Sequence, residues 1–121
     1  MWLFTTFGFF SVVRKGPDPR MLCVRSRWRA DLEDLRKRYI DLMPGMTPIE
    51  TSTHTDYAFR FYVPQAEFAQ VAAAIARDVT CANFKDAAHA TRPGHASMLH
   101  GVWEVVWRSA TTGMAGRWSR F

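Results

Sequence analysis

The sequence predicts an α+β fold: an antiparallel sheet of about five strands with helices packed on one face. Three observations carry this. Short runs with period-two alternation occupy the first third and recur around Thr55–Val63. Longer segments with apolar residues at helical spacing separate and follow them. Glycine and proline punctuate the joins.

Trp2 to Thr5 and Phe9 to Arg14 read as a hairpin turning at Thr6-Phe7-Gly8, with glycine expected at a positive φ. Lys15 to Pro19 is a loop, because Pro17 and Pro19 exclude regular pairing. Met21 to Trp28 is the third strand. Its parity puts Leu22, Val24 and Ser26 on one face and Cys23, Arg25 and Arg27 on the other.

Leu32, Leu35, Tyr39 and Leu42 recur at helical spacing. The charges between them, Asp31 among them, read as a solvated face, acids first and bases last as the helix dipole favours. Pro48 to Ser52 is a weaker strand, paired through a tight turn at Thr53-His54 with a strand from Thr55 to Val63. In that strand Tyr57, Phe59, Phe61 and Val63 share the core face. Asp56, Ala58, Arg60 and Tyr62 share the other.

Gln65 to Val79 is the second helix, with Phe68, Val71, Ala72, Ile75 and Val79 as its buried stripe. Asn83 caps a short third helix. A break at Thr91 to Gly94 separates it from a last helix, Ala96 to Trp107, striped by Leu99, Val102, Trp103 and Val106. Residues 1–108 thus form one domain. Residues 109–121, with Arg117, Trp118, Arg120 and Phe121, read as a flexible tail.

The chain has 121 residues, a size for one domain with one modest core. Nine Phe and five Trp are many for this length, so some are expected to cover a ligand or an interface, the alternative being a small core built from large side chains. A net charge of +5 favours anionic partners. Cys23 and Cys81 form neither a CxxC pair nor a disulfide framework, which points to a reducing, cytoplasmic setting. The apolar opening has no basic residue before Arg14 and is too short to span a bilayer, so no membrane partner is expected.

Catalysis has no motif here: GxSxG, HExxH, a P-loop and GxGxxG are all missing. His95 and His100 are five apart and diverge on a helix, and His89 lies across the Pro-Gly break, so neither a metal nor a cofactor is expected. Binding is better supported. Arg25, Arg27, Arg60 and Lys85 are candidates for phosphate, and Asp56 for a hydroxyl or an exocyclic amine. Tyr57, Tyr62, Phe84 and Trp103 are candidates for stacking on a base. The helix start at Asn83 offers free N–H groups to an anion. Solvated sheet residues and an ordinary cap are the plainer account of the same residues.

The chain resembles a family of small uncharacterised proteins of tailed phages and bacteria. The likeness rests on Met1-Trp2-Leu3-Phe4-Thr5, Gly8-Phe9-Phe10-Ser11 and Val24-Arg25-Ser26-Arg27. It continues in Thr55-Asp56-Tyr57-Ala58-Phe59-Arg60, Asn83-Phe84-Lys85 and Val102-Trp103, covering residues 1 to about 107. Ala87 to His100 departs from the family's more regular segment. The resemblance implies a phage or prophage setting and carries over no catalytic residue.

The combined expectation is a non-enzymatic, homo-oligomeric anti-defence protein. It would act as a sponge for a small phosphorylated nucleotide immune signal, of the cyclic nucleotide or cyclic ADP-ribose type. The alternatives are a nucleic-acid- or protein-binding inhibitor of a host factor, and a signal-degrading phosphodiesterase.

Overall fold

In the computed structural model, residues 1–111 are described; of the expected tail, 109–121, only 109–111 are among them. The five strands are β1 (Trp2–Thr5), β2 (Gly8–Val13), β3 (Met21–Ser26), β4 (Glu50–Thr51) and β5 (Phe59–Pro64). They form one antiparallel sheet in the order β1-β2-β3-β5-β4. The helices are α1 (Arg29–Tyr39), α2 (Gln65–Arg77), α3 (Phe84–Thr91) and α4 (Pro93–Thr111), with a 3-10 turn at Ile40–Leu42 after α1. The predicted α+β class is the one observed. No helix among the described residues is long and apolar enough to cross a membrane.

The core lies between one face of the sheet and α1 and α2. Phe10, Val12, Val24, Phe61 and Val63 rise from alternate strand positions to meet Leu32, Leu35, Tyr39, Phe68 and Val71. Period two on the strands and a helical stripe on each helix bring these side chains to one layer. In α2 the stripe includes Ala74 and stops short of Val79, which is exposed beyond the helix end at Arg77.

Several boundaries differ from expectation for local reasons. β3 ends at Ser26, two residues early. The Ser26 hydroxyl donates to Phe9 O (3.1 Å) and accepts from the Trp28 N–H (3.2 Å), turning the chain into α1. Gly8 does not have a positive φ; Gly16 does, at +124°. Gly8 is needed for space, since an added Cβ would lie 2.8 Å from Asp31 Cγ. There is no tight turn at Thr53-His54. The loop closes farther out, where Ser52 N–H donates to Ala58 O (2.7 Å), and β5 starts at Phe59 rather than Thr55.

α4 begins at Pro93, a residue preorganised for a first helical turn. Only Arg92 separates it from α3, so Ala87 to His100 is more regular than the sequence suggested. α4 also runs on to Thr111, taking in Ser109, Ala110 and Thr111 that read as tail.

Asp31 corrects the reading of α1 as a helix with only solvated charges. It is fully buried. Its Oδ2 accepts the Phe9 N–H (3.1 Å) and its Oδ1 accepts from Arg92 Nη1 (2.9 Å). Arg92 Nη2 also donates to Asp34 Oδ2 (2.9 Å). His95 Nδ1 lies 3.4 Å from Asp31 Oδ1 without hydrogen-bond geometry, its ring 4.4 Å from that of Trp28. One carboxylate thus ties the hairpin, α1 and the α3–α4 pair together.

Candidate anion-binding face

The face of the sheet turned away from α1 and α2 carries a row set by strand register. Trp2 stands opposite Ser11, Ser11 opposite Arg25, Arg25 opposite Arg60, and Arg60 opposite Glu50. Directly opposed residues in an antiparallel pair have Cα atoms about 4.5–5.5 Å apart. Two guanidinium stems are therefore held side by side by backbone pairing alone.

Arg60 is 9% exposed and Arg25 is half-buried. Arg25 Nη2 donates to Ser11 Oγ (2.8 Å). Arg60 Nη2 donates to Thr55 Oγ1 (2.7 Å) and to Tyr57 O (3.2 Å). The Nε atoms of both arginines are buried and have no hydrogen-bond partner among the described residues. Neither arginine, nor Arg27, makes an ion pair among the described residues. Glu50 is opposite Arg60 in register yet exposed and unpaired with it. Buried cations normally have carboxylate partners, because desolvation is otherwise uncompensated.

Tyr57 is the main correction to the sequence reading. It was expected on the core face with Phe61 and Val63. It lies instead in the loop before β5 and folds over the arginines on the opposite face. Arg25 Cζ is 4.6 Å and Arg27 Cζ 5.3 Å from its ring centroid, and the Phe9 ring is 6.3 Å away. The alternation that reads so clearly from Phe59 onward fails before it, because Thr55 to Tyr57 are bends held by Thr55 Oγ1 donating to Tyr57 O (2.7 Å). Tyr57 is 9% exposed, its ring packed against Arg25 and Arg27, while Arg60 reaches only its backbone carbonyl.

Tyr62 and Cys23 form the next row, opposite each other. Cys23 is fully buried. Burial pushes its thiol up from the ordinary value, opposed by the charges of Arg60 and Arg25, so it is a packed thiol rather than a nucleophile. Asp56 is exposed and pairs with none of the arginines.

The ten candidate residues do not form one site. Arg25, Arg27, Tyr57 and Arg60 converge, with Tyr62 one row away. Asn83, Phe84, Lys85 and Trp103 belong to a different place, a groove between α3, α4 and Phe4 of β1. Asn83 is a helix cap, its Oδ1 accepting the Asp86 N–H (3.2 Å).

Ser11, Thr55 and Phe9 were missed by sequence reasoning. Ser11 had a readable signal: a lone hydroxyl inside the apolar run Phe9-Phe10-Ser11-Val12-Val13, where a buried polar group needs a partner. Among the described residues, no three His, Cys, Asp or Glu side chains cluster as a metal site. No protein-family model, curated protein or solved structure matches this chain.

Proposed function

We propose that this protein binds and sequesters a small phosphorylated nucleotide at the arginine face, without turning it over. The reading rests on one observation. Arg25 and Arg60 are opposed on adjacent strands and, among the described residues, no carboxylate pairs with either and both buried Nε atoms lack a hydrogen-bond partner. Like charges placed directly opposite destabilise a sheet. A phosphoryl group removes that penalty and takes up both free N–H donors in short charge-assisted hydrogen bonds. Arg27, its Cζ 5.3 Å from the Tyr57 ring centroid, adds a third positive charge.

The aromatic surroundings favour a nucleotide over bare phosphate. Tyr57 and Tyr62 present rings beside the cations, and stacking on a base contributes about 1–3 kcal/mol. In this reading the Tyr57 loop moves to admit the ligand and closes over it. The biological setting proposed is a phage-borne sponge, acting as a homo-oligomer in the bacterial cytoplasm on a cyclic nucleotide or cyclic ADP-ribose signal.

The experiment is to incubate the protein with candidate signals, remove unbound ligand, denature by heat and identify what is released. Intact nucleotide is the expected product. Release of a cleaved product would replace the sponge with a phosphodiesterase. Binding that survives both Arg25→Met and Arg60→Met would remove the site from the proposal.

A further inference from the structure

The stripe Leu99, Val102, Trp103 and Val106 has the spacing of a helix face that packs on a core. Only its first member is buried: Leu99 is covered and Val102 half-buried, whereas Trp103 is 44% and Val106 63% exposed. The rest of the stripe forms a wall of a groove of about 500 Å³, faced by Phe4 of β1 and by Ala82 and Phe84 at the start of α3. Phe4 stacks on Phe9 at 4.4 Å and so is held in place from below. The groove has shape before anything enters it.

Charge narrows the occupant. Among the described residues, Lys85 is the one charged residue lining this groove, and no carboxylate lines it. The Lys85 Nζ lies 4.0 Å above the Trp103 ring. A ring face engages an ammonium electrostatically and leaves its N–H donors available. A cationic occupant is repelled, and a wholly apolar one leaves those donors unused. The volume falls in the range of about 300–1,000 Å³ found for small-molecule sites.

We propose that this groove binds a free single-chain amphiphile with one carboxylate head. The head pairs with Lys85, and the chain runs along Val102, Trp103 and Val106 against Phe4 and Phe84. The site is separate from the arginine face, and its success or failure leaves the nucleotide reading untouched.

Decanoate, below its micelle-forming concentration, is the probe for the full chain, read by titration calorimetry. The expected result is saturable binding of one decanoate, and none of decyltrimethylammonium. Lys85→Gln weakens it about tenfold, the loss of one charge-assisted hydrogen bond, and Lys85→Arg retains it. Val106→Asp, a change at an exposed position, abolishes it, and Arg60→Met leaves it unchanged. Equal binding of the cationic amphiphile, or indifference to both Lys85→Gln and Val106→Asp, overturns the proposal. Three other results do so too: binding only to phospholipid vesicles, binding only after removal of residues 112–121, or a dimer that Val106→Asp dissociates. These would assign the groove to a bilayer, to this chain's own end or to a second copy.

Discussion

Arg25 and Arg60 face each other across β3 and β5, and each carries a buried Nε with no acceptor among the described residues. An anion that binds there stabilises the folded state by mass action. At a hundredfold excess over Kd, pyrophosphate is expected to add about 2.7 kcal/mol, on the order of 10 °C in Tm for a domain this size. Arg60→Met erases the shift. In the absence of phosphate the same substitution should change stability by no more than about 1 kcal/mol, since relief of like-charge contact offsets two lost hydrogen bonds. A fall of more than about 3 kcal/mol in denaturant titration would mark Arg60 as a structural residue instead.

Asp31 binds three elements through one carboxylate, and Asp31→Ala leaves the Phe9 N–H and part of Arg92 unpaired. The expected cost is about 3–5 kcal/mol. Burial pushes its carboxyl above the ordinary value, although the Phe9 N–H and the charges of His95 and Arg92 pull the other way. The folded state then holds the proton more tightly than the unfolded chain. Stability from this group is therefore greatest at low pH and declines as pH rises above about 3.9. Asp34 adds a like charge, and Arg38 pairs with Asp34, so the readout is differential. The stability of wild type minus that of Asp31→Asn should shrink with rising pH, and a pH-independent difference would contradict this.

Tyr39 donates its hydroxyl to Asp78 Oδ2 at 2.8 Å. Burial first, and then the Asp78 carboxylate, push its phenol up to about 12. The unfolded chain ionises near 10, so stability present below that value is lost as pH rises from about 10 to 12. A late tyrosine step should appear in ultraviolet absorbance, and Tyr39→Phe should remove it. A late step that persists in Tyr39→Phe, or no late step in the wild type, would refute the assignment.

Two glycines should respond in opposite directions to alanine. Gly16 has a φ of +124°, and an added Cβ would lie 2.9 Å from the Tyr62 ring. Gly16→Ala is expected to cost about 1–3 kcal/mol. Gly101 lies inside α4, with nothing within 4 Å of an added Cβ. Gly101→Ala should stabilise by about 0.5–1 kcal/mol, because alanine loses less backbone entropy in a helix. Thermal melts of both variants check the pair, and a destabilising Gly101→Ala would mean that α4 is packed more tightly there.

Much of the fold was legible because its signals are local. The parity of β3 placed Cys23 and Arg25 together, and the parity of β5 from Phe59 placed Arg60 and Tyr62 together, all four on the face away from the core. The same parity failed at Tyr57, where hydrogen bonds to Thr55 and Arg60 override alternation and carry the ring to the other side. Asp31 read as solvated because its partners, Phe9 and Arg92, are 22 and 61 residues away.

Periodicity and punctuation in the chain settled which segments pair or coil and which strand faces carry cations, since backbone geometry imposes those repeats residue by residue. Tertiary structure alone decided that Arg25 and Arg60 are neighbours, that the Tyr57 ring packs on Arg25 and Arg27, and that the stripe of α4 stays largely uncovered. Strand order, loop direction and helix placement follow from packing the whole chain at once, and no stretch of residues encodes them by itself.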